Sequence, residues 1–326
     1  MKKFNYMFLL FAIYVSISAQ AIVNSVCDNQ ISVKIQKKMK TFKVIYNTFD
    51  SQYGKIKIQN ESVYLPGTNG KAMIIQHGFM GSPFEVLSVV NYFNLLGYSV
   101  YAPLLFGFGS TAKVANSISR QNWRNDFSEN VIIIKECYKK VTLIGFSIGA
   151  TLASDYAYKN ASEINNIVLI SPFFGLNFKN LKIINRELLL FTNEISVKSV
   201  YMLSSNTALK AFINYPQFYN QSFPLKSVNE VIKLGKQMQN LYNNTIENNQ
   251  NSINIPCFTI TSQDDKTINL NLASKLPNAL FRSSEMLQIL KYHHVPHQIL
   301  LPEYNPFLKE ILKVISFFIE EKNALD

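Results

Sequence analysis

At 326 residues the chain suits one enlarged domain or a domain with an insertion, and it can bury a sizeable core. A hydrophobic fraction of 48% against 16% charged residues excludes a disordered chain, which would carry more charge and fewer aromatics. The formal net charge of +11 is scattered, with Lys34, Lys37, Lys38 and Lys40 as its densest cluster; this argues for a solvated or membrane-facing positive surface and against a nucleic-acid partner.

Lys2 and Lys3 open the chain, Met7 to Ile17 is an apolar run, and Ala19-Gln20-Ala21 places small residues at A-x-A spacing. That is the pattern of a secretory signal peptide, residues 1–21, cleaved after Ala21. An uncleaved anchor is the competing reading, because no charge falls between Phe4 and Cys27 and such a stretch is long enough to cross a bilayer. The expected location is exported, periplasmic or secreted. Cys27 follows Asn24-Ser25-Val26, which is not the setting of a lipid-modified cysteine. The three cysteines, Cys27, Cys137 and Cys257, permit one disulfide with one thiol left over, and their spacing does not say which. Cys257 lies in an apolar run and reads as a small buried residue. No Cys and His fall at metal-ligand spacing, so no metal site is expected.

Residues 31–326 read as the folded domain. Over 31–65 the alternation of Phe42, Val44 and Tyr46, then Ile56 and Ile58, predicts an antiparallel hairpin at a sheet edge. Ala72 to Gln76 is a short apolar run of the kind buried on both faces of a sheet. Ser82-Pro83 opens a helix with Ser as N-cap and Pro at its first position, and Gly97 closes it. Ser99 to Leu105 reads as a strand, Gln121 to Tyr138 as a helix, Val141 to Gly145 as a strand, Ile148 to Tyr158 as a helix and Ile167 to Ile170 as a strand. This alternation means a mostly parallel sheet flanked by helices.

The rhythm breaks at Ser171-Pro172. Residues 173–230 show helical patches over Leu181 to Phe191 and Val197 to Ile213 without a buried strand, which predicts a helical cap inserted over one end of the sheet. Asn243 to Asn254 reads as a connection, Ile255 to Thr261 and Leu287 to Tyr292 as strands, and Pro306 to Glu321 as the last helix.

The sharpest motif is Gly145-Phe146-Ser147-Ile148-Gly149, between the apolar strand and the small-residue helix. Strand, G-x-S-x-G, helix is a nucleophile elbow: glycines let strand and helix approach, and the tight turn presents the Ser147 hydroxyl at the sheet's edge. His77-Gly78-Phe79-Met80-Gly81-Ser82-Pro83 follows the first buried strand and can aim a backbone amide at an oxyanion. The expected donors are the amides of Phe79 and Ile148, with His77 bracing the loop. A serine nucleophile needs a base oriented by a carboxylate. Asp264 and Asp265 both follow the strand Ile255 to Thr261; Asp265 is preferred, because Ile268 can pack the turn behind it. Of 4 histidines, three lie at His293, His294 and His297 in the loop where a base belongs. His297 is preferred, held between Pro296 and the run Gln298-Ile299-Leu300.

HGFMGSP at 77–83, GFSIG at 145–149, SQDDKTI at 262–268 and VPHQ at 295–298 together resemble the α/β-hydrolase superfamily, and within it bacterial carboxylesterases and monoacylglycerol-lipase-like enzymes. The resemblance covers roughly residues 70–320. It implies the α/β-hydrolase fold, a Ser147–His297–Asp265 triad, no cofactor and a covalent acyl-enzyme. The aromatic residues Phe173, Phe174, Phe178, Tyr201, Phe212 and Tyr215 favour an acyl pocket. The expected partner is therefore a small-molecule or lipid ester, met in solution or at a membrane surface. A peptidase, amidase or thioesterase would use the same triad, and a non-catalytic envelope binding protein would keep only the fold.

Overall fold

The structure is a computed structural model that describes residues 2–177, 193–204, 209–248, 252–290 and 293–323, leaving aside the side chains of residues 2–25, 201–204 and 283. The expected helix over Leu181 to Phe191 and the aromatic side chains of Phe178, Tyr201 and Tyr292 lie outside what is described.

The described residues form nine strands and ten α-helices, numbered in chain order. The core is a seven-stranded sheet of order β1-β3-β2-β4-β5-β8-β9. Its strands are β1 (Val63–Leu65), β2 (Ala72–Gln76), β3 (Ser99–Ala102), β4 (Val141–Phe146), β5 (Ile164–Ile170), β8 (Ile253–Ser262) and β9 (Phe281–Ile289). Only β1 runs antiparallel to its neighbour; every other pair is parallel. The helices are α1 (Lys2–Phe49), α2 (Leu87–Leu95), α3 (Ala112–Ala115), α4 (Arg120–Lys135), α5 (Ile148–Lys159), α6 (Val197–Ser204), α7 (Leu209–Asn214), α8 (Leu225–Glu247), α9 (Leu270–Leu280) and α10 (Leu308–Asn323).

Both faces of the sheet are covered. Along β2, Ile74 joins a core with α1, α4, α5 and α9, while Met73 and Ile75 pack with α2 and α10 on the other side. Leu143 and Ile144 divide the same way, which is why the sequence reads there as continuous apolar runs rather than alternation. This is the α/β-hydrolase fold, as the sequence predicts.

The N-terminal region differs from expectation. No hairpin forms over 31–65; α1 continues to Phe49, and only Val63–Leu65 joins the sheet. The governing pattern is Ile31, Ile35, Met39, Phe42 and Tyr46, which recurs every three or four residues and is buried, whereas Val44 is 67% exposed. Among the described residues no helix is long and apolar enough to cross a membrane. Among the contacts that fasten α1 to the domain, three are covalent or buried. Cys27 is disulfide-bonded to Cys137, just beyond α4, and Cys257 is a buried free thiol. The buried ammonium of Lys38 sits 2.6 Å from Asp126 and donates to Asn130 Oδ1. The Tyr46 hydroxyl accepts the Gly107 amide.

Smaller differences follow local chemistry. β3 stops at Ala102, before Pro103, which has no N–H for a ladder. The helix expected after Ser82 begins as a 3-10 turn, Pro83–Val86, and the Ser82 side chain makes no capping bond. The segment between β5 and β8 contains a short antiparallel pair, β6 (Glu194–Ser196) with β7 (Ser222–Pro224), as well as α6 and α7. α8 then runs to Glu247, through part of the expected connection. α9 was not expected from the sequence; Asn269 caps it by accepting the Leu272 amide.

Candidate active site

β4 ends at Phe146, and Ser147 takes φ 55° and ψ −117° before α5 begins. A left-handed non-glycine residue costs about 1–3 kcal/mol and persists only where its surroundings fix it. Here the Ser147 amide donates to the Ile170 carbonyl at 2.9 Å, and the Ser147 carbonyl accepts from Phe173 N at 3.2 Å. A Cβ on Gly145 would meet the Ala150 backbone at 2.4 Å, and one on Gly149 would meet the Gln76 carbonyl at 2.4 Å. Both glycines of the elbow are therefore required by close backbone approach.

The loops after β8 and β9 converge on this turn. The Ser262 hydroxyl donates to the Val295 carbonyl at 2.5 Å and ties the two loops together. Asp265 Oδ1 accepts the Thr267 and Ile268 amides, which leaves Oδ2 facing His297 Nδ1 at 2.6 Å. The other ring nitrogen, Nε2, accepts the Ser147 hydroxyl at 3.0 Å. All three side chains are buried, and the Phe146 ring lies 5.0 Å from the imidazole. Such a chain lets the imidazole take the hydroxyl proton while the carboxylate holds the tautomer and steadies the cation that forms.

The alternatives lie elsewhere. Asp264 faces His294 at 3.4 Å, and the His294 side chain is 85% exposed. The His293 ring packs against Phe307. His77 is buried with both nitrogens engaged: Nδ1 donates to the Gly78 carbonyl and Nε2 accepts the Leu105 amide. Burial pushes its pKa down to about 4, so it is neutral at neutral pH and braces the loop.

Phe79 and Ile148 border the same cavity as Ser147 and His297. Ile148 opens α5, where the first amides have no partner within the helix and the dipole favours negative charge. The cavity holds about 750 Å³ including its open mouth, and its walls are largely apolar. Phe146 and Phe173 come from the sheet side; Leu209, Phe212 and Val231 come from α7 and α8.

Among the described cavity residues that the sequence does not single out, one is charged. Glu85 is buried beside the loop that carries Phe79, and its Oε2 accepts the Gly78 amide at 2.7 Å. In sequence it looks like an ordinary acidic residue in the first turn of a helix, so only the fold distinguishes it.

Residues 67–303 match the family described as serine aminopeptidase, S33. Among solved structures, one from the LipS and LipT pair of metagenome-derived lipolytic enzymes is 17% identical, with a TM-score of 0.63 over 82% of this chain and 100% of that one. A soluble variant of monoglyceride lipase from Saccharomyces cerevisiae is 17% identical, with a TM-score of 0.59 over 80% of this chain and 91% of the other. Monoacylglycerol lipase from Paleococcus ferrophilus is 16% identical, with a TM-score of 0.57 over 79% and 98%. At these identities the likeness is one of fold.

Proposed function

The chain belongs to the serine aminopeptidase S33 family of α/β hydrolases, and from that premise we propose that it cleaves carboxylic esters of apolar acyl chains through an acyl-enzyme on Ser147. The observation that carries this reading is the hydrogen-bonded chain Asp265–His297–Ser147 at the wall of an apolar cavity. In the first step His297 Nε2 takes the hydroxyl proton as Ser147 Oγ adds to the ester carbonyl. The amides of Phe79 and Ile148 receive the oxyanion, a contribution of about 3 kcal/mol per donor in comparable sites. The imidazolium then gives its proton to the departing alkoxide, and water, activated by the same imidazole, releases the acid.

Chemistry at the carbonyl is shared with peptidases, amidases and thioesterases, so the cavity walls must decide. An aminopeptidase needs a carboxylate free to hold the substrate's ammonium. Among the described residues that border the cavity, Glu85 is the one acid, and it is engaged by the Gly78 amide. Burial also pushes its pKa up to about 7, which reduces its charge at neutral pH. These features favour an apolar ester over an aminoacyl substrate.

The segment between β5 and β8, with residues 173–230 as its body, serves in this reading as the cap that walls the acyl site. Residues 1–21 serve as an export signal. The Cys27–Cys137 disulfide supports an oxidising destination, periplasmic or secreted.

The test uses purified protein and its Ser147→Ala variant with a fluorophosphonate probe and p-nitrophenyl esters of increasing chain length, alongside aminoacyl p-nitroanilides. Labelling and ester turnover that vanish in the variant are expected, with esters preferred over anilides. A folded wild type that neither labels nor turns over would refute the serine mechanism, and a preference for anilides would refute the ester assignment.

A further inference from the structure

We propose that Glu85 is the positioning residue of the oxyanion loop: its carboxyl anchors Gly78 through the Gly78 amide, one peptide ahead of the one whose N–H, that of Phe79, points into the cavity. The inference rests on the assignment of Ser147 and Phe79 just made.

The loop turns from the end of β2 at Gln76 to Pro83, and Glu85 in the following 3-10 turn folds back beneath it. Its Oε2 accepts the Gly78 amide at 2.7 Å. On the far side of the same residue, the Gly78 carbonyl accepts His77 Nδ1–H at 2.8 Å. Gly78 is thus held at both ends. In a trans peptide the N–H points opposite to the preceding carbonyl, so a fixed Gly78 carbonyl fixes the direction of the Phe79 N–H. The two bonds set the aim of the donor although neither touches it.

The loop is shaped closely around the carboxyl. A Cβ on Gly81 would come 2.7 Å from Oε2, and one on Gly78 would come 3.0 Å from it. Met80 between them is left-handed at φ 62°, and its carbonyl accepts the Asn220 amide of the inserted segment at 3.1 Å. The neighbouring Tyr219 is buried: burial first, then the Glu85 carboxylate, pushes its phenol well up, while Tyr219 acts in the opposite direction on the Glu85 carboxyl, which burial raises. Through Tyr219 and Asn220 the insertion rests on the same loop that carries the donor.

A misdirected donor lowers transition-state binding more than ground-state binding, so the signature is in kcat. Steady-state ester kinetics are measured for Glu85→Ala, Glu85→Gln and Gly81→Ala, with folding checked by circular dichroism and thermal unfolding. Glu85→Ala is expected to lose about 10- to 100-fold in kcat with KM little changed, below the full loss of a donor. Glu85→Gln keeps a carbonyl for the Gly78 amide and is expected to recover most of that loss. Gly81→Ala pushes the carboxyl off Gly78 and is expected to lower kcat as well, with no added effect in the Glu85→Ala background.

Wild-type kcat in Glu85→Ala, or a Glu85→Gln variant as impaired as Glu85→Ala, would overturn the proposal. Where Glu85→Ala does not fold, wild-type kcat in folded Gly81→Ala overturns it alone. Fluorophosphonate labelling separates the two readings: no labelling of wild-type Ser147 is a failure of the serine mechanism, whereas labelling with unaffected Glu85 and Gly81 variants is a failure of this inference only.

Discussion

Asp264 and Asp265 share a turn, and their side chains face different histidines. Asp265 is buried with Oδ1 committed to two amides and Oδ2 to His297, whereas Asp264 faces the exposed His294. An amide at position 265 would present the wrong group to Nδ1 and favour the wrong tautomer, so Asp265→Asn is expected to cut kcat by about 10³- to 10⁴-fold. Asp264→Asn should stay near wild type in the same ester assay, and equal losses in the two variants would sink the assignment. His77 and Glu85 make a second residue-scale prediction, read in stability. His77 is depressed from 6.5 to about 4, so the unfolded chain binds the extra proton and the contribution is lost as pH falls from 6.5 towards 4. Glu85 is raised from 4.5 to about 7, so its contribution is present at low pH and is lost as pH rises from 4.5 towards 7. Each spans about 3 kcal/mol by linkage, with opposite sign and in overlapping windows. Urea unfolding of Glu85→Gln should therefore show stability rising from pH 4 to 6.5 more steeply than wild type; parallel profiles would contradict the assignment of Glu85.

At the scale of elements, α1 tests how far pattern reading extends. Its alternating Phe42, Val44 and Tyr46 suit a strand, but the longer stripe from Ile31 to Tyr46 suits a helix, and only the second is buried. A window of five residues cannot separate the two periods; the 48-residue helix settles it by packing on α4. The buried strands β2, β4, β5 and β8 were legible because parallel strands covered on both faces leave uninterrupted apolar runs. The elbow was legible because its glycines answer a steric demand within five residues. By contrast β6 and β7 span three residues each and carry no periodicity. In α9, Pro277 masked a sound capped helix. Glu85 and Tyr46 were illegible because their partners, Gly78 and Gly107, are set by the tertiary fold. Tyr46→Phe makes the cost measurable: it removes the acceptor of the buried Gly107 amide and should lower stability by about 1–3 kcal/mol in denaturant unfolding. No change would show that the amide finds another partner.

For the whole molecule, the N-terminal helix and the insertion lie in one core with α4 and α5, while α2 and α10 close the opposite face alone. The side of the sheet that carries α1 is therefore assembled from segments far apart in the chain, and the disulfide across 110 residues ties its first piece to its middle. Replacing both cysteines by Ser is expected to lower unfolding free energy by about 5 kcal/mol, the chain-entropy value for a loop of this size. The urea midpoint with and without reductant measures it; a wild-type midpoint unmoved by reduction would mean that the bond adds nothing to the noncovalent clasp of Lys38 and Tyr46.

The same bond sets a schedule. A ribosome adding about 5–20 residues per second needs roughly 5 to 20 s to travel between the two positions. Throughout that interval the stripe from Ile31 to Tyr46 has no sheet to rest on and must be shielded by other means. Cys137 then arrives while Cys257, 120 positions downstream, has yet to be made. Where oxidation keeps pace with the emerging chain, Cys27 has a single possible mate within its own chain for that period, and in the folded protein the competitor lies buried in β8.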